Sequence, residues 1–64
     1  MIKEYDKVKL MTGEIARISE VLKEDTAYIA DIFKDNGEIS IEPINHEDIQ
    51  SIFVETEQFV RRAV

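Results

Sequence analysis

The sequence predicts an all-β domain, a small bent barrel of five strands, and three observations predict it. Residues 6–11 alternate, with Lys7 and Lys9 on one side and Val8 and Leu10 on the other, and run into Thr12-Gly13. Period-2 alternation is the mark of a half-buried strand. Asn36-Gly37 separates two β-branched runs and is the strongest short hairpin signal in the chain. Charged or proline-bearing breaks at Lys23-Glu24-Asp25-Thr26 and at Pro43 keep every run short.

After the Gly13 turn, residues 14–23 alternate imperfectly. Ile15 and Ile18 are three apart, and Val21 and Leu22 are adjacent. A straight strand would set Ile15 and Ile18 on opposite faces. A bulged strand that turns both toward one core is therefore expected, and such bending is how a small sheet closes. A helix competes for the same spacing, but Ile15, Ile18 and Val21 are β-branched and favour a strand. Residues 27–33 read as a third strand, with Tyr28, Ala30 and Ile32 on one face and Ile29 and Phe33 on the other. Residues 38–42 alternate again, predicting Ile39 and Ile41 inward and Glu38, Ser40 and Glu42 outward. Pro43 ends that strand or places it at a sheet edge.

Asn45-His46-Glu47-Asp48 has the composition of a helix start, with Asn45 as cap and Asp48 in the reciprocal position. Two readings follow. In the first, 46–49 is one 3₁₀ turn, 50–54 a last strand and 55–64 a tail or short helix, giving a barrel over residues 1–54. In the alternative, α+β, a four-stranded meander carries one C-terminal helix over 46–64. That helix would have an apolar stripe of Ile49, Ile52, Phe53, Phe59, Val60 and Ala63, with acids early and Arg61-Arg62 late.

Sixty-four residues make one domain with a thin core; a chain this short buries only about 60% of its unfolded surface. With no cysteine, a disulfide framework and a cysteine–zinc site are excluded. There is no apolar run long enough to span a membrane, and residues 1–5 lack the apolar core of a signal peptide. A cytoplasmic protein is expected. Net charge is −6, from 14 acidic and 8 basic residues. Nucleic-acid binders carry a clustered basic face, whereas Lys3, Lys7, Lys9, Arg17 and Lys23 are interleaved with acids, which argues against nucleic acid as partner.

The element order over residues 5–54 resembles an SH3-like barrel. Val8-Lys9-Leu10, followed by Thr12-Gly13-Glu14-Ile15-Ala16-Arg17-Ile18, is similar to the KOW-type opening of such barrels. Ala27-Tyr28-Ile29-Ala30-Asp31-Ile32 and His46-Glu47-Asp48-Ile49 are similar to the third strand and last turn of small uncharacterised bacterial SH3-like proteins. KOW domains often contact RNA or ribosomal partners through basic residues, and this chain is acidic. SH3 domains that bind proline-rich peptides use a tryptophan groove, and this chain has no tryptophan. Neither ligand class transfers.

No catalytic, cofactor or metal site is expected. His46 is the sole histidine and sits in a polar turn beside Glu47 and Asp48, whose side chains diverge from it. Ser19, Ser40 and Ser51 have no base near them in sequence. Gly13 and Gly37 are too few for a phosphate loop. The candidate partner-binding residues are Phe59, Val60, Arg61 and Arg62, which carry apolar and basic groups beyond the barrel pattern. The expected function is a non-enzymatic protein-interaction module, binding a protein partner or itself, with no small molecule or membrane involved. Alternatives are a nucleic-acid-associated KOW-like protein, or an acidic nucleic-acid mimic from a mobile element, which requires acids in a row on one face.

Overall fold

The computed structural model describes residues 1–53 in full, with the backbone of Val54 and of 58–61; the remainder lies outside the described residues. Six strands appear in chain order: β1 (Lys7–Leu10), β2 (Ile15–Lys23), β3 (Ala27–Phe33), β4 (Ile39–Asn45), β5 (Ile49–Val54) and β6 (Gln58–Arg61). A three-residue 3₁₀ turn, His46–Asp48, joins β4 to β5. All neighbouring pairs are antiparallel, in the order β4-β3-β2-β1-β5-β6. β4 and β6 are the two edges, so the sheet is open among the described residues.

Two C-terminal expectations are corrected. The helix over 46–64 is excluded, because β5 begins at Ile49 and pairs with β1 through Val8 and Ile52. Residues 58–61 are neither tail nor helix but a strand, with Phe59 opposite Phe53 and Val60 opposite Ile52. The apolar spacing that fits a helix stripe is satisfied instead by cross-strand pairing, because β5 offers a free edge to residues that follow it closely. Residues 55–57 and 62–64 lie outside the described residues, as do the side chains of β6.

Val8, Ala16, Ile18, Tyr28, Ala30 and Ile49 are fully enclosed, and they come from β1, β2, β3 and the start of β5. A flat single-layer sheet leaves both faces wet. Enclosure of these residues, in a molecule of 31 × 26 × 18 Å, means that the sheet curls around its own inner face. Ile2 joins this core from the N-terminal segment. That segment is held to β2 by Tyr5 N–H donating to Ile18 C=O at 2.7 Å and Ile18 N–H donating to Asp6 C=O at 2.9 Å.

The bend in β2 is real but lies elsewhere than expected. Ala16 faces Ile32 and Ile18 faces Ala30, both inward, while Ile15 faces Phe33 on the outer side. The register slips between Ile18 and Glu20, after which Val21 faces Tyr28. One extra residue at Ser19 thus returns an odd-numbered side chain to the inner face. The bulge unites Ile18 with Val21, not Ile15 with Ile18, and Leu22 is left exposed. Ser19 keeps its place by donating its hydroxyl to Ile29 C=O at 3.1 Å.

β4 is inverted relative to the expected phase. Ile44 is buried, whereas Ile39 and Ile41 are 58% and 72% exposed. The β3–β4 ladder runs without a bulge from Ala27–Asn45 to Phe33–Ile39. Tyr28, Ala30 and Ile32 define the inner face of β3, so Ile44, Glu42 and Ser40 are forced to that side. A one-residue change of phase moves every side chain to the other face.

Candidate functional site

The outer face of the sheet is where the chain departs most from a purely structural pattern. Cross-strand pairing there sets Ile39 beside Phe33 and Phe33 beside Ile15, while Ile41 lies beside Asp31 and Asp31 beside Arg17. Phe33 is itself exposed, and Ile15 half-buried. Toward the middle strands the face turns basic. Arg17 pairs with Lys7, and Lys9 lies between Ile15 and Ser51. The Lys7 ammonium stands 5.2 Å from the centroid of the Phe53 ring, a cation–π contact that holds the aromatic in place. Lys7, Lys9 and Arg17 form no ion pair among the described residues. Strand alternation brings together basic residues that are interleaved with acids in the sequence, because in a strand residues two apart share a face.

Of the predicted partner residues, Phe59, Val60 and Arg61 lie on β6. Phe59 is in register with Phe53 and Arg61 with Ser51, so β6 extends the sheet beside the basic strands. Arg62 lies outside the described residues.

His46 does have a partner, which sequence reasoning missed. Its Nδ1 lies 2.9 Å from the hydroxyl of Tyr28, a fully enclosed side chain, with the two rings 6.1 Å apart. The pairing follows from register: the β3–β4 ladder ends with His46 N–H donating to Thr26 C=O, which brings the 3₁₀ turn over the ring of Tyr28. A buried phenol needs a partner, and His46 supplies one. Asp48 is engaged elsewhere, its carboxylate accepting the Asn45 N–H at 2.8 Å, and Glu47 is exposed.

The Lys34 ammonium donates to Glu14 at 2.9 Å and ties the β1–β2 turn to the β3–β4 turn. That bond, with a second from the Thr12 hydroxyl, holds the Glu14 carboxyl below its ordinary value, and the Glu14 bond raises Lys34 above its own. A lowered carboxyl contributes stability that is present above the unfolded value and lost as pH falls through the folded one. A raised ammonium contributes below its unfolded value and loses that contribution as pH rises through the folded one. The pair therefore acts over the whole neutral range, weakly and subject to salt screening because both groups are at the surface. In a carboxyl-detected NMR titration Glu14 is expected to titrate below 4.5, and Lys34→Met is expected to bring its midpoint back up toward that value.

Among the described residues, no group of three or more His, Asp or Glu stands close enough to hold a metal ion, and no helix is long and apolar enough to cross a membrane. A shallow cleft of about 320 Å³ is bordered by Met1, Ile2, Lys3, Glu4, Val21 and Glu24. Its walls are mostly apolar, and it lies away from the outer sheet face. In comparisons with protein-family models, curated proteins and solved structures, nothing matched the chain.

Proposed function

We propose that this chain is a non-enzymatic protein-interaction module that docks partners on the outer face of its sheet, with the edge strand β4 as the main contact. The observation that carries this reading is the exposed pair Ile39 and Ile41 on β4, whose register forces them outward, with exposed Phe33 of β3 beside Ile39. Exposed large apolar side chains grouped at a sheet edge cost solubility, and such groups mark contact surfaces. An SH3-like barrel, open at β4 and β6, is the fold reading that goes with it. It is supported by the pairing of β5 back onto β1 and by the 3₁₀ turn between β4 and β5. A cytoplasmic, bacterial setting belongs to the same proposal and rests on the sequence alone.

The test is retention from a native lysate at low salt by the immobilised wild type and by an Ile39→Lys/Ile41→Lys double variant. Proteins held by the wild type and lost with the variant support the module. No difference between the two removes β4 as the docking strand.

A second reading is favoured by one observation, the run of Arg17, Lys7 and Phe53 across β2, β1 and β5 with Lys9 beside it. Basic groups interleaved with an aromatic suit a single-stranded nucleic acid, as in a KOW-like protein. Binding to a single-stranded RNA that weakens steeply with salt would support it; no retardation at low salt would remove it. The nucleic-acid-mimic reading has no support of this kind. Most carboxylates of the described residues fall in the turns, as at Glu14, Glu24-Asp25, Asp35 and Glu47-Asp48, and the outer face around Lys7 and Arg17 is basic.

A further inference from the structure

We infer that the partner of β4 is a second copy of this chain, paired antiparallel about Ile41 so that two sheets join edge to edge. The inference rests on the reading of β4 as a docking strand and names its occupant.

The hydrogen bonds at the two ends of the β3–β4 ladder fix which backbone groups of β4 are already used. Lys34 N–H donates to Glu38 C=O at 2.8 Å, and His46 N–H donates to Thr26 C=O at 2.8 Å. In an antiparallel ladder, bonded pairs alternate with non-bonded ones. The even-numbered residues of β4 therefore bond to β3, and the odd-numbered residues 39, 41, 43 and 45 direct their N–H and C=O groups away from the sheet. Asn45 N–H is taken by Asp48. Residue 43 is proline, whose missing N–H thus falls on the open side and costs β3 nothing. What the edge offers is two donors, at Ile39 and Ile41, and three acceptors, at Ile39, Ile41 and Pro43.

This set is complementary to itself. With Ile41 opposite Ile41 of a second copy, each Ile41 N–H meets the other copy's Ile41 C=O. Each Ile39 then stands opposite Pro43, and its N–H meets the Pro43 C=O. Both free donors of each chain are satisfied, and the proline is met only as an acceptor. The side chains agree with the backbone. Ile41 packs on Ile41, Ile39 on Pro43, and Ser40 faces Glu42. Sliding the register so that Ser40 is central would set Glu38 against Glu42 on both sides, and like charges directly opposite each other are unfavourable. The twofold contact closes on itself and produces a dimer, not a fibre.

Sedimentation equilibrium across a dilution series tests this, with 7.4 kDa as the monomer mass. The wild type is expected to rise toward twice that mass with concentration. Ile41→Lys is expected to remain monomeric. Ser40→Glu, which sets two glutamates face to face in each half of the contact, is expected to weaken dimerisation by about tenfold or more, corresponding to roughly 1.4 kcal/mol. Because the chain has no cysteine, Ile41→Cys gives a direct measure of register. Directly bonded antiparallel residues lie about 5.5 Å apart between Cα atoms, within disulfide reach. Oxidation should yield a covalent dimer in high yield, against little from a Lys23→Cys control. A wild type that stays monomeric throughout overturns the inference. So does a dimer indifferent to Ile41→Lys, or equal crosslinking of the two cysteine variants. If the monomeric wild type still retains lysate proteins that Ile39→Lys/Ile41→Lys loses, the docking strand stands and only the identity of its occupant falls.

Discussion

Tyr28→Ala is expected to remove a large share of the protein's stability at 25 °C. Tyr28 is the largest fully enclosed side chain, and it faces Val21 on β2 and Ile44 on β4. Removing an enclosed aromatic costs about 3–5 kcal/mol through lost burial and the cavity left behind. A domain of this length has a total stability of only about 3–10 kcal/mol, with no disulfide to raise it. The hydroxyl's share is separable. Tyr28→Phe keeps the ring but leaves the His46 Nδ1 without that bond, and it is expected to cost about 1 kcal/mol. His46→Ala removes the same bond from the other side and is expected to cost a comparable amount. Urea unfolding followed by circular dichroism measures all three. A Tyr28→Phe protein less stable than Tyr28→Ala would contradict the enclosure of the ring.

The second large effect is a contrast between two isoleucines. Ile18→Ala is expected to cost about 2–5 kcal/mol, because Ile18 is fully enclosed opposite Ala30. Ile41→Ala is expected to change stability by no more than about 0.5 kcal/mol, because Ile41 projects into solvent. The comparison belongs at the lowest workable protein concentration, since dimerisation through β4 would add to apparent stability. Midpoints are comparable only if the denaturant slopes match. Equal losses at the two positions would mean that β4 has the phase its sequence alternation predicts, with Ile41 inward and Ile44 outward.

That contrast marks where sequence patterning stops being sufficient. Alternation in residues 38–42 identifies a strand, but it is symmetric. It says that Ile39 and Ile41 share a face without saying which face is dry. The expectation that apolar means inward fails because the inner side of β4 is dictated by Tyr28, Ala30 and Ile32 across the ladder. The same limit explains Ile15. Its spacing from Ile18 signals irregularity in β2, but the bulge is placed by pairing with β3, next to Ser19. His46 was readable only as a polar turn residue, because Tyr28 is eighteen positions away and reaches it through the β3–β4 register.

The C-terminus is the opposite case. Ile52, Phe53, Phe59 and Val60 have a helical spacing and also suit two short strands, and local pattern cannot separate these. The open edge of β5 separates them, since a strand there adds backbone hydrogen bonds to a sheet already formed. A lone helix of that length gains little without a surface to cover.

By itself the sequence determined the strands within residues 6–42 and the turns at Gly13, at Lys23-Glu24-Asp25-Thr26 and at Asn36-Gly37. It also determined that Tyr28, Ala30 and Ile32 share one face of β3. These are local matters: glycine admits positive φ (+93° at Gly13, +86° at Gly37), and alternation follows the pleat. Tertiary structure alone decided which side of β4 is wet, where β2 bulges, what His46 touches, and that Lys7, Lys9 and Arg17 share a face with Phe53. Each of these depends on register between strands far apart in the chain. Register is set by the sum of core contacts and ladder hydrogen bonds, which no short window of sequence contains.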